Sequence, residues 1–119
     1  MILTALLVST LATPVLAQVY PVSGRWGESN SSEKGPIDCS GNRRIVGFFG
    51  NQRTDSNGGV PEYRNVSVQS VGQSDYRIVD EFSNAMVSAG HTEYTLRKLD
   101  SDRIVMNQSG TVLNLQRCK

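Results

Sequence analysis

His91 is the chain's single histidine, so any imidazole chemistry has to run through it. As a general base it would need a Ser or Cys nucleophile and an orienting carboxylate brought to it in space. No G-x-S-x-G elbow occurs, and His91 follows Gly90 in a turn-like stretch, which reads as solvated surface. No catalytic residue is assigned. The carboxylates are scattered, and Asp80 and Glu81 point to opposite faces of a strand, so they form no acid/base pair. Asp80 falls on the same face as Tyr76, Ile78 and Phe82. A carboxylate on an apolar face needs a partner. It is either a polar group in a ligand cavity beside Tyr76, or one half of an ion pair with an Arg, or turned outward by a bulge. A second candidate set lies in the turn-rich stretch Asn51–Tyr63, where Arg53 and Tyr63 flank Asp55, Asn57, two glycines and Pro61. The calcium-loop spacing is absent there.

The two cysteines, Cys39 and Cys118, are spaced wrongly for a zinc ribbon or a C-x-x-C redox pair. An even count in an exported chain reads as one disulfide, the alternative being two buried thiols. Closing a loop of about 80 residues stabilises by about 4.5 kcal/mol in the chain-entropy picture. With both cysteines bridged, no His/Cys metal site remains, and no cofactor is expected.

Export is read from the N-terminus. No charged side chain occurs from Met1 to Ser23. The apolar run Ile2–Leu11 is too short to span a bilayer and fits the hydrophobic region of a secretory signal. Pro14 ends it, and Val15-Leu16-Ala17 offers small residues for cleavage, although the extreme N-terminus lacks Lys or Arg. The alternative is an apolar first element of the fold. The expected leader is Met1–Ala17 and the mature chain Gln18–Lys119, periplasmic or extracellular, with no integral membrane segment. The balance of 12 Lys+Arg against 11 Asp+Glu, with no basic stripe, excludes a dedicated nucleic-acid binder and an electrostatic membrane anchor. N-x-S sequons begin at Asn30, Asn65 and Asn107, and matter only in a eukaryotic secretory route.

The elements that must position these residues read as β throughout. Expected strands are Val22–Gly27, Arg44–Phe49, Tyr63–Val71, Tyr76–Phe82, Thr92–Leu99, Arg103–Asn107 and Thr111–Arg117. Asn51–Pro61 reads as loop, and Ser83–His91 as either a short strand or a helical turn. Alternation puts Val66 and Val68 on one face, with Asn65, Ser67 and Gln69 on the other. Short strands at hairpin spacing give an all-β antiparallel up-and-down meander. It is expected to close into a small eight-stranded barrel as one domain.

The chain ends carry a further pattern. Gly24-Arg25-Trp26 is a G-x-W on the first strand, and Arg117 sits near the end of the last, on the face of Leu113 and Leu115. This resembles the calycin arrangement of lipocalins, avidins and small secreted inhibitors of bacterial metalloproteases. The resemblance implies that Gly24, Trp26 and Arg117 form a clamp closing one barrel end, with guanidinium over indole. In the inhibitors an N-terminal segment enters the protease cleft, which here would be Gln18-Val19-Tyr20-Pro21. Their disulfide closes a short early loop, whereas the Cys39–Cys118 bridge would tie the Glu28–Cys39 region to the C-terminus. The functional expectation is a small, exported, non-catalytic, lipocalin-like binding protein. Its partner would be a protein or a modest small-molecule ligand contacting Asp80, Tyr76, Arg53 and Tyr63. The alternatives are an inhibitor of an exported metalloprotease and a structural cell-envelope component.

Overall fold

The computed structural model describes residues 19–119. The expected leader, Met1–Ala17, lies outside the described residues. Eight strands follow one another: β1 Gly24–Glu28, β2 Ile45–Phe49, β3 Gln52–Asp55, β4 Tyr63–Ser70, β5 Asp75–Phe82, β6 Gly90–Asp100, β7 Arg103–Gln108 and β8 Thr111–Arg117. They form a closed barrel in chain order. Every neighbouring pair is antiparallel, and β8 closes on β1 through Trp26↔Arg117, Gly27↔Gln116 and Glu28↔Leu115. Among the described residues there is no helix, hence none long and apolar enough to cross a membrane.

The eighth strand comes from an unexpected place. Ser83–Ala89 is a loop, and β3 lies inside the stretch read as loop, Asn51–Pro61. The physical reason is the residue that β3 turns inward. That residue is Arg53, which is buried, so the strand carries no apolar alternation for a period-two reading to find.

An eight-stranded barrel has an interior just wide enough to be filled by side chains. Here Trp26, Val46, Phe48, Ile78, Tyr94, Leu96, Ile104, Met106, Leu113 and Leu115 fill it. Burying each such side chain contributes about 1.5–3 kcal/mol. Tyr20 and Val22, from the segment ahead of β1, join the same core. The Tyr20 ring meets Phe48 edge-on at 5.1 Å. One barrel end, the Trp26 end, carries this segment together with the β2–β3, β4–β5 and β6–β7 turns. The loops after β1, β3, β5 and β7 lie at the opposite end.

β4 does not alternate as its sequence suggests. Its register against β5 shifts between Asn65 and Ser67, making Val66 the extra residue of a bulge. Asn65 therefore faces the lumen along with Val68, which packs on the core, while Val66 is half exposed.

The disulfide forms: Cys39 and Cys118 are bonded, with Cα atoms 5.5 Å apart. It fastens the long β1–β2 connection to β8. Ile37 bridges Cys118 in parallel, and the buried Gln116 side chain donates to the carbonyls of Glu33 and Gly35 at 2.8 and 2.7 Å. Beneath this loop sits Gly27, where an added Cβ would lie 2.8 Å from the Cys39 sulfur. No larger residue fits there without moving the bridge.

Candidate functional site

Asp80 is the most deeply buried polar group, with no solvent exposure. Its Oδ2 accepts from Arg53 Nε at 2.8 Å and from the Tyr94 hydroxyl at 2.9 Å. Its Oδ1 accepts from the Tyr20 hydroxyl at 2.9 Å and from Asn65 Nδ2 at 3.3 Å. Four donors fill the acceptor capacity of a carboxylate. No buried side-chain polar atom is left without a partner among the described residues. The three outcomes open to Asp80 thus resolve to an ion pair with an Arg, facing inward.

Each member arrives from a different element. Arg53 comes from β3, Asn65 from the β4 bulge, Asp80 from β5, Tyr94 from β6, and Tyr20 from the segment before β1. The Arg53 guanidinium also lies over two rings, 3.8 Å from the Tyr63 centroid and 4.8 Å from that of Tyr94. Tyr63 in turn meets Phe82 edge-on at 5.6 Å. A further ion pair runs outward from the cluster: Arg53 Nη1 lies 3.8 Å from Asp55, which Arg44 grips through two bonds at 3.0 and 2.7 Å.

The electrostatics follow from burial. Tyr20 and Tyr94 are pushed well above the usual phenol range, first by burial and then by the adjacent Asp80 charge, with Arg53 opposing. Burial works against the Arg53 charge, but the neighbouring Tyr94 and Asp80 outweigh it and hold the guanidinium above its ordinary value. Both tyrosines are therefore locked as neutral donors and Arg53 as a fixed cation. None is poised to move a proton near neutral pH.

Of the residues expected at a ligand site, Asp80, Arg53 and Tyr63 come together. Tyr76 does not join them: it lies four positions back along β5, about 13 Å away at strand spacing, and is partly buried against the core. His91 is exposed on β6 opposite Glu81, away from any nucleophile arrangement. Among the described residues no three His, Cys, Asp or Glu side chains come together to hold a metal. Two members carry no sequence signal of their own: Asn65, which only the bulge turns inward, and Tyr20, whose segment was singled out only as the arm that the inhibitor resemblance implies. The one available signal was an inward carboxylate with spare acceptor capacity, which demands donors from somewhere.

At the Trp26 end the expected clamp is formed. The Arg117 guanidinium lies 4.4 Å from the Trp26 ring centroid. It also donates to the carbonyls of Ser23 and Ser101 and to Asp102. Gly24 sits at φ +89°, a conformation open to glycine, and an added Cβ would meet Arg117 Nη1 at 3.5 Å.

The opposite end presents a different surface. A groove of about 440 Å³ is lined by Pro61, Glu62, Arg64, Glu81, Phe82 and the ends of the β5–β6 loop. Asn84 folds that loop by accepting from the Met86 and Val87 amides, both at 2.8 Å. The fold leaves Met86 91% exposed, with Val87 also exposed beside it.

No protein-family model matches this sequence, and no curated protein and no solved structure matches it either.

Proposed function

We propose that the chain is an exported, non-catalytic binding protein of calycin-like design. Its partner is a protein that docks on the rim formed by the Ser83–Ala89 loop and the adjoining groove. The observation that carries this reading is the contrast between the two halves of the molecule. Inside, every inward polar atom around Asp80 is spoken for by the chain's own side chains, and the Tyr20 ring is packed into the same core. Outside, a built loop holds Met86 and Val87 in solvent beside a groove of mixed charge. Methionine is an adaptable contact residue, and apolar side chains rimmed by charge suit a protein surface. The disulfide fits an oxidising compartment. Tyr20 is 1% exposed and bonded to Asp80, which speaks against that segment as a protease-directed arm. The Asp80 cluster serves on this reading to hold the barrel shut.

The test is site-specific photocrosslinking in the source organism, with a photoreactive residue at Met86 or, as control, at Val112 of β8, which is also apolar and exposed but lies away from the loop. A discrete adduct from position 86 that is absent from position 112 is expected. No adduct, or the same adducts from both positions, removes the proposal.

A further inference from the structure

Barrel closure normally leaves no strand edge. One edge persists here. β3 pairs with β4 only through Gln52↔Arg64 and Arg53↔Tyr63, and a last bond runs from the Asn65 amide to the Asn51 carbonyl. Beyond it, β4 continues to Ser70, paired with β5 on one side alone. Among the described residues no backbone group bonds to the other side of Val66–Ser70. The Val71 amide is bonded to the Asp75 carbonyl on the β5 side. By the alternation of an antiparallel ladder, the amides and carbonyls of Val68 and Ser70 then point to the open side.

This edge carries no charge or proline to protect it: neither occurs in Asn65-Val66-Ser67-Val68-Gln69-Ser70-Val71. Val66 and Val71, at its two ends, are each 50% exposed. The bulge blunts the Val66 end only, leaving Ser67–Val71 regular.

We infer that this edge pairs antiparallel with the same edge of a second copy of the chain, about a two-fold axis at Gln69. The axis sets Val68 opposite Ser70 of the partner subunit, so that these residues exchange about four backbone hydrogen bonds. Gln69 faces its own counterpart, and Ser67 faces Val71 of the partner subunit. A second copy fits because the segment is neutral: no like charges meet across the axis, and no charged row on the edge recruits an oppositely charged peptide. The register also keeps the bulge outside the paired stretch. So short an edge buries far less than the roughly 1,600 Å² of a standard stable interface, so the dimer is weak and concentration-dependent.

Sedimentation equilibrium on the disulfide-bonded chain Gln18–Lys119, from micromolar to millimolar, reads it directly. A monomer–dimer equilibrium is expected. Gln69→Lys sets two ammonium groups face to face and should weaken dimerisation at least tenfold, as should Gln69→Glu alone. Mixing the two variants should restore the dimer as a heterodimer. Both variants are checked for native circular dichroism. Gln69→Cys provides an independent readout, because a two-fold axis there brings the two thiols into bridging range and an interchain disulfide should form without added crosslinker. A chain that stays monomeric at millimolar concentration overturns the inference. So does a dimer indifferent to both charge variants, or one that fails to crosslink through position 69.

Discussion

Arg53 and Asp80 face each other inside the barrel at 2.8 Å, with side chains 3% and 0% exposed. Arg53 stands on β3 and Asp80 on β5, so the pair reaches across β4 and ties together the two strands that flank it. This is the seam where strand pairing is shortest. Taking two charges out of water is costly, and the arrangement stands because every remaining acceptor site on Asp80 is also filled.

Arg53→Met leaves the Asp80 carboxylate buried without its counter-charge. It should destabilise by about 3–5 kcal/mol. Asp80→Asn is also destabilising, and the double variant should lose less than the sum of the singles by at least about 1 kcal/mol, since the two residues act as a unit. Urea unfolding of the four proteins measures this. Additive losses would mean that the pair is not coupled.

Alkaline pH should weaken the fold through Tyr20 and Tyr94. Both phenols are raised above their ordinary value near 10, so between pH 10 and the folded-state values the native chain holds protons that the unfolded chain releases. Stability is then fully present below about pH 10 and falls as pH rises, by up to about 1.4 kcal/mol per pH unit for each phenol. Tyr20→Phe should remove one of the two contributions and flatten the slope. It should also lose about 1.5–3 kcal/mol at neutral pH through the missing bond to a charged acceptor. Denaturant midpoints at pH 8 to 11 test both effects.

The clamp should be specific to arginine. Arg117→Ala removes the indole contact and the bonds to Ser23, Ser101 and Asp102 and should cost about 1–2 kcal/mol. Arg117→Lys should recover less than half of that, because an ammonium cannot stack and fork at once. Thermal melts with Trp26 fluorescence as the probe distinguish the two variants.

Replacing both Cys39 and Cys118 by Ser should lower stability by about 2–4 kcal/mol, below the chain-entropy figure because real bridges often deliver less. Protease susceptibility should rise first in the β1–β2 connection, which the bridge holds against β8. Equal cleavage throughout the chain would contradict that local role.

Much of the fold was legible because its rules are local. Short β-branched and aromatic runs marked β5 through β8, turn residues marked their boundaries, and the G-x-W and Arg117 marked the clamp. The misreadings have two physical causes. β3 was hidden because its inward residue is charged, and Asn65 was set on the face opposite Val68 because a bulge resets a period of two without leaving a mark in the sequence. The candidate cluster was half visible: Asp80 announced a need for donors, and Arg53 and Tyr63 were singled out nearby. Tyr20, 60 positions away in sequence, could be matched to Asp80 only once the barrel was closed.

The barrel interior is filled by the chain's own side chains, and the proposed docking surface lies outside it. Native mass spectrometry of the protein isolated from its own source without unfolding tests this most directly. The expected mass is that of the disulfide-bonded polypeptide alone, as monomer or dimer. A stoichiometric small molecule that stays bound and is released only on unfolding would contradict it.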